Sequence, residues 1–483
     1  MRNEFRKVLF ALLLTKLTIC SFSQGKSSDS FPEDSTLMHA SVSMCVADAE
    51  TGNIIMEYNS GNSLTPASVM KVITSAAVIE LLGPEYIFKT KIGYTGTLRK
   101  WSGRLKGNII ITGGGDPALG SKYFADHYHD FLNTWAAEIS KVGIKKVKGR
   151  IITDDSYYDF LPVPAKWLLE DEGNYYGAGA YGLSAFDNTY EIHFKTLSDS
   201  IPPIITEFVP GQCRTEFSNF LIASDSSEEG CVYSAPYSTT GWLAGKIPVK
   251  QNDYMLKASI SDPPLLVAKM MTDKLKSRSI KVTGNPTTVR SEKNYSAKKI
   301  VPITETLSPL LTDIIEVMNH ESVNLYAEHL IKELGKKFKN NGSTASGIEV
   351  INEFLKKSGI NTNGLFIVDG SGLSPQNALN TGELVHLLVY MKTRSKYFRE
   401  YYSSFPDAGK EGTMKNYFKD SVFDSRLKAK SGSMTRVQSF AGYFTTHSGK
   451  QMAFSIIINN YTGPSKNIIS GIEEIIGELI TKN

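Results

Sequence analysis

The chain has 483 residues, 53 Lys and Arg against 49 Asp and Glu, and a formal charge of +4, with 41% hydrophobic and 21% charged residues. That length predicts two or more domains with ample material for a core, and the composition is that of a folded globular protein. A nearly neutral chain is not a charge-driven binder of nucleic acid or anionic membranes.

The N-terminus has the pattern of a secretory signal. Arg2, Arg6 and Lys7 form a basic start, Val8 to Leu14 an apolar run extended through Leu17 to Cys20, and Ser21 to Ser23 small residues at the cleavage positions. Maturation is expected near Gln24, giving an exported protein. Lys16 interrupts the run, which is too short for a permanent transmembrane span, and no other stretch is long and apolar enough for one. Leu17 to Cys20 resembles a lipoprotein cleavage box, with Ile19 where a small residue is usual, so lipidation at Cys20 is the secondary reading. Residues 1–23 carry four basic and one acidic side chains, and their removal leaves a charge of +1.

The mature chain keeps Cys45, Cys213 and Cys231. Cys45 lies in an alternating apolar run and is expected to be a buried thiol. Cys213 and Cys231 are close in sequence and able to pair in an oxidising compartment. His127 and His129 form an isolated pair without a third ligand, and no His-Glu-x-x-His occurs, so no metal or other cofactor is expected.

In chain order, residues 41–58 read as a hairpin: Val42, Met44 and Val46 alternate, Asp48 to Asn53 turn, and Ile54 to Tyr58 return. Pro66 to Gly83 reads as a helix with Ser68 in its first turn and Gly83 as its stop. From Phe88 short strands follow. The strand at Gly107 to Thr112 ends in Gly113 to Pro117, a glycine-rich loop without the Gly-Lys-Ser/Thr continuation of a phosphate cradle. Val147 to Thr153 is another strand, ending at Asp154, Asp155 and Ser156. Residues 200–262 suggest a compact β-rich module. Helical texture is predicted from Thr304 to Leu334, Ala345 to Lys357 and Thr381 to Thr393. Residues 427–460 return to strands, with Phe440 to Thr446 and Gln451 to Asn459 around a turn at 447–450, before an amphipathic helix at Ile468 to Ile480. The pattern is one domain, residues 24–94 plus 300–483, interrupted by an inserted region at 95–299 that is expected to form two small, mostly β modules.

Ser68 and Lys71 lie three apart, so a helix places them on one face. A hydroxyl beside an amine at a helix N-terminus is the arrangement of a serine nucleophile with its base. The spacing alone is weak, since it recurs at Ser23/Lys26, Ser296/Lys299 and Ser425/Lys428 without a comparable helix. Two further motifs follow it in order: Ser322-Val323-Asn324 between helical stretches, and Lys430-Ser431-Gly432 at the start of the C-terminal strands.

Together these resemble the three motifs of active-site serine penicillin-recognising enzymes. Gly113 to Pro117, Asp369 to Ser374, Glu411 to Thr413 and the long insertion extend the resemblance over nearly all of the mature chain. It looks like a class C low-molecular-mass penicillin-binding protein of the D-alanyl-D-alanine carboxypeptidase/endopeptidase family. The resemblance implies an α+β fold: a five-stranded antiparallel sheet flanked by helices, made from residues 41–58 and the C-terminal strands. The Lys430 strand and the Ser68 helix would wall the cleft.

The resemblance also implies roles. Ser68 would attack the D-Ala–D-Ala carbonyl and form an acyl-enzyme. Lys71 would take the proton, its pKa lowered by burial and by the Lys430 cation. Ser322 would relay a proton to the leaving amine, and Asn324 would hold Lys71 and the substrate backbone. Lys430, Ser431 and Gly432 would bind at the substrate carboxylate, and the N–H groups of Ser68 and Ser433 would form an oxyanion hole. Asp154 matches a position that binds the stem's diamino acid, although a solvated strand-end aspartate reads equally well. The third motif has Ser431 where Thr is usual, which keeps the hydroxyl. Val323 replaces a common polar residue and is expected to face away from the cleft, and Pro375 stands where some members place an arginine. The implied partners are peptidoglycan stem peptides and, as covalent inhibitors, β-lactams, with a periplasmic location. The alternatives are a β-lactamase or esterase of the same fold, or a non-catalytic wall-binding scaffold.

Overall fold

A computed structural model describes residues 36–199, 201–213, 215–225, 229–292 and 299–482. The signal pattern, its cleavage site and Cys20 lie outside the described residues.

The central sheet is five-stranded and antiparallel, in the order Leu427–Met434, Val437–Thr445, Gln451–Asn459, Ser41–Asp48, Ile54–Tyr58. The first strand of the sequence therefore pairs with the last, from Ser41 opposite Asn459 to Asp48 opposite Met452. Successive side chains of a strand point to opposite faces. Met44 and Val46 thus enter one core, against helix Ser465–Lys482, while Cys45 and Ala47 enter the other. The terminal helix contributes Ile468, Ile472, Ile475, Ile476 and Leu479, an apolar stripe at helical spacing.

The opposite face of the sheet is covered by helices, with Met70–Leu82 at their centre. Every residue from Met70 to Ile79 is buried, so this helix is enclosed on all sides rather than amphipathic. Each of its fully buried Val and Ile side chains stabilises the fold by about 1.5–3 kcal/mol. Gly83, at φ 84°, ends it and donates to the Ile79 carbonyl. Helices Leu311–His320, Asn324–Lys339 and Thr344–Lys357 pack around it.

The intervening residues build two further layers. One holds a mixed five-stranded sheet, ordered Thr287–Thr288, Ile151–Asp154, Ile109–Thr112, Lys89–Tyr94, Val301–Leu307, and a four-stranded sheet. Helices Phe131–Lys141 and Pro263–Ser277 pack against this layer, so it is more helical than the sequence texture suggested. The other layer has two three-stranded sheets sharing a core of Tyr190, Ile192, Phe194, Leu221, Val232 and Leu243.

One expectation is corrected, and one open question about the cysteines is answered. Residues from Thr304 are not helical at once: Val301–Leu307 is a strand antiparallel to Lys89–Tyr94, and the helix begins at Leu311. Val301, Ile303, Thr304 and Thr306 are β-branched and suit a half-exposed strand at a sheet edge. Cys213 and Cys231 are free thiols. Cys213 ends a 3-10 turn beside Lys269, whereas Cys231 starts a strand beside Glu170 and Asp171, so the fold gives them different surroundings.

Candidate active site

Ser68 stands in a 3-10 turn, Ala67–Val69, that leads into the helix rather than in the helix's own first turn. Ala67 has φ 47°, a left-handed conformation that a non-glycine residue keeps only when its surroundings hold it. Those surroundings come from two distant segments. Ser439 Oγ donates to the Pro66 carbonyl at 2.6 Å. Gly432 packs so closely that a Cβ there would lie 2.8 Å from the Pro66 carbonyl oxygen and 2.9 Å from the Ser68 nitrogen.

Lys71 is fully buried. Its Nζ lies 3.0 Å from Ser68 Oγ, 2.7 Å from Asn324 Oδ1 and 2.9 Å from the Ser371 carbonyl oxygen, one acceptor for each ammonium proton. Burial pushes its pKa down to about 7, against the carboxylates of Glu328 and Asp369, which push it up. The lowering is as expected, and burial is its first cause. A neutral Lys71 keeps two N–H bonds for Asn324 and Ser371 and turns a lone pair to the Ser68 hydroxyl.

Asn324 opens helix Asn324–Lys339, and its Nδ2 donates to the Tyr176 carbonyl at 2.9 Å, which fixes which end of the amide faces Lys71. Ser322, at φ 56°, sits in the break between this helix and Leu311–His320. Ser322, Val323 and Asn324 line one wall of a cavity of about 800 Å³, with Tyr175, Tyr176 and Cys231 across from the inserted region. Val323 borders the cavity, and its side chain packs on the core.

Lys430 lies within the edge strand Leu427–Met434, in its middle rather than at its start. It is fully buried, its Nζ donates to the Ser431 carbonyl at 2.7 Å, and burial first, Lys71 second, hold its pKa well below the ordinary value. Ser431 Oγ donates to Thr413 Oγ1 at 3.0 Å. Ser433 follows on the same strand, exposed and opposite Gln438. This edge strand packs directly on the Ser68 turn, with Gly432 at the point of closest approach. The structure thus joins Ser68, Lys71 and Asn324 by hydrogen bonds, sets Gly432 on the Ser68 turn with Lys430, Ser431 and Ser433 on the same strand, and places Ser322 two residues before Asn324. Asp154 ends strand Ile151–Asp154, and its Oδ1 accepts from the N–H and Oγ of Ser156, in its own turn.

Residues without a role in the sequence reading complete the centre. Glu328 is fully buried and accepts from the Gly370 N–H at 3.0 Å and the Ser371 N–H at 2.8 Å. Asp369 accepts from the N–H groups of Gly372 and Ser374, from Asn377 Nδ2 and from Trp167 Nε1. Burial pushes both carboxyls up, Glu328 to about 8. The signal for Glu328 was present: it lies four residues after Asn324, on the same helix face.

A serine turn, a buried lysine with a lowered pKa and an edge strand carrying Lys-Ser-Gly define a serine hydrolase of the penicillin-binding and β-lactamase-like fold. The profile of the D-Ala-D-Ala carboxypeptidase 3 (S13) family matches residues 25–479, and the chain belongs to that family. It is thereby a serine-type D-Ala-D-Ala carboxypeptidase. The D-alanyl-D-alanine carboxypeptidase of Actinomadura sp. R39 is 26% identical over 449 residues, covering 90% of this chain and 81% of the relative. The D-alanyl-D-alanine carboxypeptidase DacB of Haemophilus influenzae is 24% identical over 469 residues, covering 93% and 91%. The crystal structure of penicillin binding protein 4 from H. influenzae shares the fold with a TM-score of 0.79, at 22% identity over 92% of this chain and 97% of that one. No helix among the described residues is long and apolar enough to cross a membrane.

Proposed function

We propose that this protein removes the terminal D-Ala of peptidoglycan stem peptides and cleaves the equivalent bond in cross-links, with Ser68 as nucleophile and Lys71 as base. The observation that carries the reading is the buried Lys71 amine, 3.0 Å from Ser68 Oγ, with its other partners on Asn324 and Ser371. A lysine neutral near pH 7 accepts the Ser68 proton as Oγ attacks the carbonyl carbon. The N–H groups of Ser68 and Ser433 hold the oxyanion, each contributing about 3 kcal/mol of transition-state stabilisation. The proton passes through Ser322 to the leaving D-Ala nitrogen, the C–N bond breaks, and water then hydrolyses the Ser68 ester.

Lys430 binds the substrate's terminal carboxylate. That negative charge offsets the burial that keeps Lys430 from holding its proton, so substrate and ammonium form together. Penicillins, which present a carboxylate beside a strained amide, acylate the same serine. The H. influenzae structure with a bound β-lactam, at a TM-score of 0.76, has this fold. The signal pattern supports export to the periplasm, and the peptidase domain takes the chain up to helix Met70–Leu82 and from helix Leu311–His320, since Lys89–Tyr94 and Val301–Leu307 pair within the sheet of the inserted region.

The test is intact-mass analysis after exposure to penicillin, with digestion of purified peptidoglycan in parallel. One penicilloyl adduct, lost in Ser68→Ala, and released D-Ala are expected. A folded protein without adduct overturns the reading. Rapid penicillin turnover without release of D-Ala would assign a β-lactamase instead.

A further inference from the structure

The outer face of the sheet Glu216–Ser224, Thr240–Pro248, Cys231–Tyr233 carries large exposed apolar side chains among polar ones. Phe220 is 65% exposed, Ile222 54% and Trp242 39%. The inner face of the same strands, with Leu221, Val232 and Leu243, is buried. The outer residues form rows fixed by register: Trp242 is flanked by Ser218 and Tyr233, Ala244 by Phe220 and Cys231, and Lys246 lies opposite Ile222. Tyr233 and Trp242 stack face to face, ring centroids 5.0 Å apart and planes within 5°.

This platform continues the cavity that Ser322 and Asn324 line. Cys231 lines that cavity and, two residues from Tyr233, points to the same side of its strand. Cys231 lies beside Tyr176, whose carbonyl accepts from Asn324, the residue that also holds Lys71. A contiguous path therefore runs from the catalytic lysine to the stacked aromatics.

We infer that this face binds the glycan strand of peptidoglycan, with its sugar rings on Tyr233, Trp242 and Phe220, while the attached stem peptide reaches the cavity. The inference rests on the proposed substrate. Three strands and three rows give a platform of roughly 10 Å by 13 Å. That suits a disaccharide and is far below the ~800 Å² per partner that a stable protein interface needs. Pyranose rings present C–H faces edged by hydroxyl and amide groups. Aromatic rings interleaved with Ser218 and Lys246 match that alternation, whereas a uniformly apolar partner would leave the polar groups unpaired.

The probe is a preparation of glycan strands stripped of stem peptides by an amidase, titrated into the mature full chain. The wild type is expected to bind, Trp242→Ala to weaken binding about tenfold, and Trp242→Phe to retain most of it. Phe220→Ser, at a position largely in solvent, gives a second loss of binding without risk to the core, and thermal unfolding checks both variants. Absent binding by the wild type, or equal binding by folded Trp242→Ala and Phe220→Ser, overturns the inference. So does sedimentation showing a wild-type dimer that either variant dissociates, since the face would then be a self-interface. Penicillin acylation of Ser68 is followed separately: its absence would refute the catalytic reading and leave the glycan result standing by itself.

Discussion

Glu328 and Lys71 meet on the two sides of one residue. Glu328 accepts the Ser371 N–H at 2.8 Å, and Lys71 donates to the Ser371 carbonyl at 2.9 Å. The carboxylate thus holds the loop that holds the lysine, and its charge opposes the burial that lowers the lysine's pKa.

Glu328→Gln is therefore expected to act on rate and on pH dependence. An amide keeps the shape and its oxygen can take both Oε1 bonds, but its NH2 then faces the Gly370 N–H at the Oε2 position, so the loop shifts and kcat falls about tenfold. Where Glu328 is ionised its charge raises the Lys71 pKa, so its loss moves the acid limb of the pH–rate profile to lower pH, by an amount limited by the burial that pushes Glu328 up to about 8. A profile of penicillin acylation from pH 5 to 9 checks this. A lowered Tm with an unmoved limb would leave Glu328 a structural residue only.

In the wild type, acylation is expected to rise through pH 7 and level off above it. Lys71 must be neutral to take the Ser68 proton, and its amine, pushed down to about 7, is neutral above that value and protonated below it. Well below pH 7 the rate should fall about tenfold per pH unit. Stopped-flow acylation measures the limb directly, and a midpoint near the ordinary lysine value would remove Lys71 as the base.

Gly432→Ala is expected to damage the nucleophile without touching it chemically. The added Cβ meets Ser439 Oγ, the Pro66 carbonyl at 2.8 Å and the Ser68 nitrogen at 2.9 Å. The Ser68 turn must move, and a displacement near 1 Å costs about a hundredfold in rate, with about 1–3 kcal/mol of stability lost to overpacking. Acylation rate and thermal unfolding, measured together, separate the two.

Glu333 ties the inserted region to the peptidase helices. Its carboxylate accepts hydrogen bonds from Tyr86 at 2.5 Å, Tyr157 at 3.0 Å and Tyr158 at 2.9 Å. Glu333→Ala leaves three tyrosine hydroxyls without that acceptor and is expected to cost about 3 kcal/mol in urea unfolding. Tyr158→Phe, which removes one donor, should cost about 1 kcal/mol. Equal losses would show that the hydrogen bonds are not the source.

Thiol titration of the denatured mature chain is expected to find Cys45, Cys213 and Cys231 all reactive, and reductant to leave the Tm unchanged. A non-reducible shortfall of two thiols would point to chemical modification; a reducible one, to the pairing that the structure does not contain.

The sequence by itself determined the local parts. Alternation marked the strand at Met44 to Val46, the spacing and Gly83 marked the central helix, and the order of Ser68, Ser322 and Lys430 motifs named the chemistry, because a period or a short motif is written in neighbouring residues. The tertiary structure decided what depends on distant residues meeting. Ser439 reaches Pro66 across 373 positions and Glu328 reaches Ser371 across 43. Val301–Leu307 is a strand because Lys89–Tyr94 is there to pair with it. Asp154 accepts from Ser156 in its own turn, and Lys71 is depressed first by burial. Spacing along the chain carries no information on which segments a folded core brings within 3 Å, or on how much water it leaves there.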